Sequence, residues 1–366
     1  MQTSASLPAD QFSDLLSRLP SGLDLDALAL ETKAIERQRK IESGADLLRL
    51  ALARGPGGLS LSQTAAWASM IGFAEPMSDP AIKFRLDKSA DFLAAVTERQ
   101  LAAKCAGPSL HWKDRFLRIS DGTCVSEHGS KRYWRVHAVF DLGRGGFSHL
   151  QVTDEHEAEA LDRGAAVCGE VRIGDRYFAR ASRLHAFRQQ SENAADFIVR
   201  LRWNSFRLQC EDGKSFDLIG HLRHLPVDAE PHEVMLQARQ GKREPVLPLR
   251  LIILRKPPEA TASTHQRLAR EASRKQKKLD PRSLVAAEFI ILATSLPAEH
   301  YPADEVLAAY RLRWQIELAF KRLKSLLHID RLPTRTPRAS RSWLYSHLIL
   351  ALLCDDLSQE FLDSSP

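Results

Sequence analysis

Four residues near the C-terminus have the types and the spacing that phosphoryl chemistry needs. Tyr310, Arg313, Glu317 and Lys324 follow one another at intervals of 3, 4 and 7 residues. In one continuous α-helix, at about 100° per residue, they would share roughly 60° of arc on a single face. A helix that only buries an apolar stripe does not collect a phenol, two cations and a carboxylate along one line. The pattern therefore predicts a helix face that looks into a site for metal ions and phosphate.

Two further carboxylates stand at the ends of predicted strands. Asp121 closes the first of these strands and Asp175 follows the fourth. Carboxylate oxygens suit Mg²⁺ or Mn²⁺, and two such ions shared by a few carboxylates assist phosphoryl transfer. Asp121, Asp175 and Glu317 are therefore the candidate metal ligands and catalytic residues. The other polar residues of the helix face are candidate phosphate contacts: Tyr310, Arg313 and Lys324.

Each carboxylate also has an ordinary structural interpretation. Asp121 precedes a glycine and would suit a turn. Asp175 would suit the N-cap of a helix. Glu317 could pair with Lys321 one helical turn later. All three would have to be coincidences together, so the metal site is the preferred hypothesis.

Composition is that of a globular protein with a polyanionic partner. The chain has 366 residues, 44% hydrophobic and 27% charged, with a net charge of +6. This charge favours nucleic acid as a partner, although weakly by itself. The five cysteines have no metal-binding spacing, which is typical of thiols in a reducing compartment. No signal peptide or membrane-length apolar run is visible, so we expect a soluble, cytoplasmic protein.

The order of predicted elements in the middle of the chain indicates an α/β fold. Three strands in hairpin succession precede helix, strand, helix and strand, an order that builds a mixed sheet covered by helices. The predicted strands cover residues 116–121, 133–141, 147–153, 170–174, 197–203, 207–218, 246–254 and 288–296. The predicted helices between and after them cover residues 154–163, 176–190 and 304–327.

The N-terminal part of the chain has helical periodicity throughout. A helix over residues 59–68, a turn over residues 71–74 and a second helix after Ser78 resemble a helix-turn-helix. Lys83 and Arg85 on the second helix are then candidate DNA contacts. An ordinary helical hairpin explains the same pattern, and both interpretations stay open.

A basic segment over residues 267–282 precedes the last predicted strand. It is rich in cations, with Arg270, Arg274, Lys275, Lys277 and Lys278 among them. The segment is either a surface that contacts phosphates or a solvated basic helix.

The spacing of the helix face resembles the Y-R-E-K signature of DDE transposases of the insertion-sequence-four type. The match is free of gaps over residues 310–324. Residues 120–123, Ser-Asp-Gly-Thr, resemble the family's first aspartate motif, and residues 174–179, Gly-Asp-Arg-Tyr-Phe-Ala, its second. Tyr177 is unusual in that motif. The resemblance covers roughly residues 30–350.

The resemblance implies a fold, an activity and partners. The fold is a ribonuclease-H-like core interrupted by a β-rich insertion. The activity is metal-dependent cleavage at element ends and strand transfer, with two Mg²⁺ (Mn²⁺ possible) on Asp121, Asp175 and Glu317. Arg176 would join the phosphate contacts, and Trp203 is a candidate to hold a flipped base. The partners are DNA, as terminal inverted repeats and target, and a second copy of the chain in a synaptic homodimer.

These expectations divide the chain into five parts: a helical DNA-binding region (1–105), the first part of the core (110–203), the insertion (204–287), the last core strand and catalytic helix (288–345), and a short C-terminal helix or tail (346–366). Larger members of the family carry a longer C-terminal dimerisation region. Two alternatives remain at this point. One is a nuclease of the same fold without strand transfer, and the other is an inactive regulator derived from a transposase.

Overall fold

A mixed β-sheet of ten strands runs through the protein. The structure is a computed structural model, and it describes residues 12–37, 40–71, 76–107, 109–127, 129, 132–239, 246–327, 331–334 and 336–363. The strands are β1 (Phe116–Glu127), β2 (Tyr133–Asp141), β3 (Gly146–Thr153), β4 (Glu170–Gly174), β5 (Asp196–Arg200), β6 (Arg207–Gln209), β7 (His232–Arg239), β8 (Leu247–Arg255), β9 (Phe289–Thr294) and β10 (Arg331–Leu332). Among the residues described, no helix combines the length and the apolar character that a membrane span requires.

Strand order places the two sequence halves side by side in one sheet. The order is β3-β2-β1-β4-β5-β9-β8-β7-β6, with β10 beside β1. Strand β1 is antiparallel to β2 and parallel to β4, and β5 is antiparallel to β9. The α/β class and the mixed, ribonuclease-H-like sheet are therefore confirmed. The strands between residues 204 and 287 extend this same sheet through β8 and β9.

Helices cover both faces of the sheet. Those before β1 are α1 (Phe12–Ser17), α2 (Leu25–Glu31), α3 (Gly44–Arg54), α4 (Leu61–Met70), α5 (Asp79–Lys88) and α6 (Ala90–Lys104). Those after β4 are α7 (Ala181–Gln189), α8 (Leu218–His224), α9 (Pro258–Arg274), α10 (Pro281–Ala287), α11 (Ala303–Arg311), α12 (Trp314–Leu327) and α13 (Pro337–Asp363).

Alternation along the strands creates two cores, one on each face of the sheet. In β5, Ile198 belongs to the core that contains the N-terminal helices and α13. Its neighbours Phe197 and Val199 belong to the other core, with α7 and α8. Successive side chains of a strand point to opposite faces, so a strand apolar at every position must be covered on both.

The N-terminal helices pack against the C-terminal helix α13. Ser89, between α5 and α6, shares a hydrogen bond of 2.9 Å with Ser342 of α13. Tyr345 of α13 accepts the backbone N–H of Val152 in β3 at 3.1 Å. The predicted boundary at residue 346 falls inside α13, which starts at Pro337, so the C-terminal segment is not a separate short helix.

The two helices of the possible helix-turn-helix form where the sequence predicts them. Ser60 and Gln63 make a reciprocal capping box at the start of α4. Helix α5 has Pro80 in its first turn. The turn predicted over residues 71–74 lies outside the described residues from position 72 onward. Binding of DNA by these helices stays a prediction.

The helix predicted over residues 154–163 is wrong, because residues 154–168 form turns and irregular backbone. Arg172 of β4 supplies the physical reason. Its guanidinium is buried and donates to four carbonyl oxygens of this segment, those of Leu161, Arg163, Gly164 and Ala165, at 2.8–3.1 Å. A helix would commit its carbonyl groups to N–H groups four residues later.

Residues 207–218 form a short hairpin rather than one strand. Strand β6 ends at Gln209, and the N–H of Cys210 donates to the carbonyl of Lys214 at 2.9 Å. Gly213 provides the positive φ of 81° that the reversal needs. Helix α8 then begins at Leu218. Strand β7 was not predicted, because its sequence alternates polar residues on an exposed face.

Acid should destabilise the fold partly through His347 of α13. Its ring stacks on Trp343 at 3.8 Å, and its Nδ1 donates to the Trp343 carbonyl at 2.7 Å. Burial lowers the His347 pKa from 6.5 to about 4. Below pH 6.5, His347 binds a proton in the unfolded chain but stays neutral in the folded chain until the pH approaches 4. The folded state is therefore destabilised as the pH falls. The loss at pH 5 relative to pH 8 should be about 1–2 kcal/mol for this group.

Urea unfolding at pH 5 and pH 8 tests this. The stability difference between the two pH values should shrink by about 1–2 kcal/mol in His347→Gln. Replacement of the exposed His156 by Gln is the matched control and should leave the difference unchanged. If the stability difference between pH 5 and pH 8 were the same in His347→Gln as in the parent, His347 would take up its proton equally in the folded and the unfolded protein.

Candidate active site

Asp121 lies in the middle of β1, where the neighbouring strand β4 ends. The parallel register of β1 and β4 stops at the pair Ile119 and Ile173. Strand β1 continues to Glu127, so the predicted strand end and turn at Asp121 are wrong. Asp175 directly follows β4, as predicted. Because the two strands are adjacent and parallel, both aspartates stand at the same edge of this part of the sheet.

Asp175 is not a helix N-cap. Its Oδ1 accepts the N–H of Tyr177 at 2.7 Å, which closes a local turn after β4. Helix α7 begins only at Ala181, so the predicted helix start at residue 176 is wrong. The turn fixes the direction of the Asp175 carboxylate beside β1.

The predicted helix over residues 304–327 is broken between Arg311 and Trp314. Hydrogen bonds that span three residues form a tight turn there, from the N–H of Arg313 to the carbonyl of Tyr310, for example, at 3.1 Å. On one continuous helix, the buried residues Val306 and Ile316 would lie about 80° apart. The tighter turn supplies most of this rotation, so both helices bury their apolar sides.

The break brings Arg313 between two of the predicted carboxylates. Its guanidinium donates to Glu317 at 2.5 Å and lies 3.8 Å from Asp121. Glu317 therefore pairs with Arg313, not with Lys321 as the structural interpretation supposed. The charge of Arg313 also acts on the phenol of Tyr310 and opposes the rise that burial causes in its pKa.

The charges of the three carboxylates act on one another. Burial, together with the charges of Asp175 and Glu317, raises the pKa of Asp121 to about 6. The N–H of Gly122, which donates at 2.8 Å, and the guanidinium of Arg313 act in the opposite direction. Arg313, which contacts both Asp121 and Glu317, shows that the strand edge and the helix meet at one place.

A cavity of about 510 Å³ opens at this place. Its lining includes acidic, basic and small residues: Asp121, Gly122, Thr123, Glu317, Phe320, Lys321 and Lys324. Lys324 thus faces the same space as two of the carboxylates. Phe320 is buried beneath it and packs on Phe147 of β3.

The donor set suits a divalent cation chemically. Carboxylate oxygens are hard ligands, and here they come from β1, from the end of β4 and from α12. The three carboxylates carry more negative charge than the single guanidinium of Arg313 can balance. Within the described ranges, however, no three or more His, Cys, Asp or Glu side chains are grouped closely enough to hold a metal ion. Arg313 takes the position of the cation between Asp121 and Glu317, so binding of a cation requires this ion pair to open.

The other predicted contacts fall into two groups. Arg176 lies next to the aspartate edge, with its guanidinium 5.9 Å from the Tyr177 ring. Lys83 pairs with Asp87 at 2.9 Å and lines a different cavity, beside α13. Arg85 is on the same helix, α5. Lys83 and Arg85 are therefore not part of the carboxylate cavity.

Trp203 packs at the margin of the second core. Its Nε1 donates to Ser283 at 3.1 Å, and the Arg282 guanidinium lies 4.3 Å from its ring. This indole already has a hydrogen-bond partner and a cation on its face.

Two cations beside the site, Arg200 and Lys256, were not singled out in the sequence. Burial, together with the charges of Arg200, Arg267 and Arg176, lowers the pKa of Lys256 to about 8. Arg200 also acts on the buried phenol of Tyr310. These residues come from β5, the residue after β8, α9 and the turn after β4, and no local sequence pattern joins them. We call Arg176, Arg200, Lys256 and Arg267 the basic cluster.

Comparisons with known proteins agree with this geometry. A family model described as a transposase DDE domain matches residues 112–353. The transposase for insertion sequence element IS421 of Escherichia coli is 38% identical over 361 residues, which cover 98% of this chain and 96% of that protein. InsL of insertion sequence element IS186A of Escherichia coli strain K12 is 38% identical over 360 residues, with the same coverage.

A more distant relative matches a shorter stretch. The transposase for insertion sequence element IS231F of Bacillus thuringiensis subsp. israelensis is 34% identical over 89 residues, 24% of this chain and 19% of that protein. The family match spans more than half of the chain, and the two Escherichia coli relatives match nearly all of it. The chain therefore belongs to the DDE transposases, of the insertion-sequence-four type.

Proposed function

We propose that this transposase cleaves DNA at the ends of an insertion sequence and joins the freed ends to target DNA. The observation that carries the proposal is that Asp121 and Glu317 line one cavity, while Asp175 follows the strand that ends beside Asp121. DDE domains depend on a divalent metal. We assign two Mg²⁺ ions, replaceable by Mn²⁺, to these three carboxylates. When bound, such ions activate the attacking oxygen and stabilise the leaving oxygen of a phosphodiester.

The protein's own groups position the phosphodiester. Lys324 lines the cavity and would bind a phosphate oxygen as a point charge. Arg313 can offer two parallel N–H donors once it leaves Glu317. The Tyr310 phenol lies within reach of Arg313 and donates to a further phosphate oxygen. Tyr310 is a contact and not a nucleophile, because water and then a DNA 3′-OH are the attacking groups.

Arg313 has two successive partners in this proposal. Without cation it neutralises Glu317 and Asp121. With cation and DNA present, the carboxylates turn to the cation and the guanidinium turns to phosphate. The ion pair thus keeps the two acids partly compensated until the substrate arrives.

The basic cluster and α9 support a path for the DNA backbone. Three arginines of the cluster act on Lys256, and one of them, Arg200, also acts on Tyr310. Helix α9 buries none of its 17 residues, and Arg267, Arg270 and Arg274 recur on its exposed side. We assign this path to the DNA next to the cleaved bond. The helices that carry Lys83 and Arg85 bind the terminal inverted repeats, and a homodimer holds both ends.

Neutralising α9 should weaken DNA binding without unfolding the protein. Replacing Arg267, Arg270 and Arg274 together with Gln removes up to three cations that bind phosphate groups. The slope of log affinity against log salt should fall by roughly one unit for each phosphate group that the protein no longer binds. Filter binding or fluorescence anisotropy across a salt series measures the slope.

A matched triple replacement controls for net charge. Lys33, Lys214 and Arg223 are exposed cations on other elements, and their replacement by Gln should leave the slope nearly unchanged. An equal fall in both triples would show that only overall charge matters and would remove α9 from the path.

A strand-transfer assay with pre-cut ends tests the proposed function against its alternatives. Joining of a labelled, pre-cut end to plasmid DNA in Mg²⁺ is the expected result. Cleavage of flanked ends without joining would make the protein a nuclease of this fold. Specific binding with neither reaction would make it a regulator.

A further inference from the structure

Glu159 lies against the backbone of β1 at Gly122, directly after the first candidate metal ligand. A Cβ atom at position 122 would stand 2.6 Å from Glu159 Oε1 and 3.3 Å from its Cδ. A side chain at position 122 would displace the Glu159 carboxylate, so Glu159 keeps this position because residue 122 is glycine. The glycine of the Asp-Gly pair therefore has a specific structural consequence.

The position of Glu159 gives it access to the aspartates from the far side of the sheet. Asp121 and Gly122 are consecutive in β1, so their Cα–Cβ directions point to opposite faces. Strand β4 ends at Gly174, and β10 rejoins β1 only at Ser126. The edge of β1 at Asp121 and Gly122 is thus open between two strands. Asp121 faces α12 above this opening, and Glu159 lies below it.

Electrostatic coupling agrees with this geometry. Burial raises the pKa of Glu159, and the charges of Asp121 and Asp175 raise it further. Arg135 opposes them, but its Nε is 3.7 Å from Glu159 Oε1, which is long for an ion pair with a hydrogen bond. Arg135 therefore compensates the Glu159 carboxylate only in part, and a cation on the side of Asp121 and Asp175 would stabilise its charged form.

The segment that carries Glu159 is firmly held. Arg172 binds four carbonyl groups just after it, and Arg163 donates to the carbonyl of Ala158 at 3.0 Å. Arg135 also donates to the carbonyl of Glu157. A carboxylate fixed on both sides in this way is presented in a constant direction, as a support for bound metal requires.

We propose that Glu159 is a positioning residue of the active site. It is a fourth carboxylate that strengthens cation binding at Asp121 and Asp175 from the opposite face of the sheet. Gly122 is needed because a side chain at that position would displace the Glu159 carboxylate. The inference rests on the proposed function, since it concerns the same cation.

Binding of Mn²⁺ to the full-length protein tests the proposal without relying on activity. Electron paramagnetic resonance of free Mn²⁺ measures the dissociation constant. Glu159→Gln, which keeps the shape of the side chain, should weaken binding by roughly tenfold. Glu157→Gln is the matched control, since Glu157 is in the same segment and pairs with Arg163; its affinity should equal that of the parent.

Cleavage rates provide a second measurement. If Glu159 acts through the cation, raising Mn²⁺ should restore the rate of Glu159→Gln to within about twofold of the parent. A residue that only supports the fold would show no such rescue. Unchanged Mn²⁺ affinity in Glu159→Gln would overturn the inference and leave Glu159 as the partner of Arg135. Unchanged affinity in Asp121→Asn would instead contradict the proposed metal site itself.

A double-mutant cycle tests the role of Gly122. Gly122→Ala should weaken Mn²⁺ binding in the parent by about as much as Glu159→Gln does. In a Glu159→Ala background, where no long side chain remains to collide, the same change should have little further effect. If the two changes weakened Mn²⁺ binding additively, Gly122 would be needed for the conformation of β1 and not for the position of Glu159.

Discussion

Asparagine at position 121 should reduce metal-dependent cleavage by at least about a thousandfold while end-specific DNA binding persists. Metal-assisted stabilisation of phosphoryl transfer supplies several kcal/mol, and each 1.4 kcal/mol corresponds to about tenfold in rate. Asparagine keeps the shape of the side chain but provides one neutral oxygen for the cation. Asp121 is the most central of the three carboxylates, since the charges of Asp175 and Glu317 both act on it.

Single-turnover cleavage measures this loss, and Asp175→Asn should match it. Asp114→Asn is a suitable control. Asp114 precedes the same strand, but it is 73% exposed and accepts a hydrogen bond from Tyr301 outside the cavity. Its replacement should change the rate less than about twofold. A rate within tenfold of the parent for Asp121→Asn would remove Asp121 from the metal site.

Methionine at position 172 should destabilise the fold by about 3–5 kcal/mol, as expected when a buried charge loses its partner. Arg172 is 1% exposed and pairs with Glu170 at 2.5 Å. Glu170 is fully buried and also contacts Arg118 at 3.4 Å. Methionine fills a similar volume but leaves Glu170 less compensated and four carbonyl groups of the irregular segment without their donor.

Urea unfolding gives the stability, and limited proteolysis reports on the irregular segment over residues 154–168. The segment should become the first site of cleavage in Arg172→Met. Arg183→Met is the matched control. Arg183 is 54% exposed and pairs with Asp162 at 3.1 Å, so its replacement should cost less than about 1 kcal/mol. Equal stability of the two variants would mean that Arg172 does not organise this segment.

The parts of the fold that could be predicted are those in which local sequence carries the information. Strands β2 and β3 combine apolar alternation with a glycine turn, and both formed where expected. Helix α5 begins at Asp79, directly after Ser78 as expected. The segment over residues 154–168 could not be predicted, because a single buried arginine from a later strand determines it.

The break between α11 and α12 was hidden for a related reason. The spacing of Tyr310, Arg313 and Glu317 suits one helix face, and nothing in this stretch disfavours a helix. Only the positions of the apolar residues that must be buried reveal the rotation. The break places Arg313 between Asp121 and Glu317, so the main error in the helix prediction concerns the site directly.

The candidate site was predictable as a set of residue types rather than as a set of contacts. Strand ends and helix spacing pointed to Asp121, Asp175 and Glu317. Glu159 and Lys256 were not singled out, because they reach the site from segments without a motif. Such residues are found only from tertiary contacts. Glu159 was found because its carboxylate lies where a Cβ atom of residue 122 would stand. Lys256 was found because its partly buried amine lies among arginines.

Cleavage of one labelled duplex tests directly whether the protein cuts DNA with a divalent metal and whether Glu317 takes part. The duplex carries the element end with its flanking DNA, and the purified parent protein and Glu317→Gln are compared with Mg²⁺ and with a chelator. We expect the parent to cleave in Mg²⁺ and to expose a 3′-OH at the element end, and we expect no cleavage by Glu317→Gln. Cleavage retained by Glu317→Gln, or cleavage by the parent in the chelator, would contradict it.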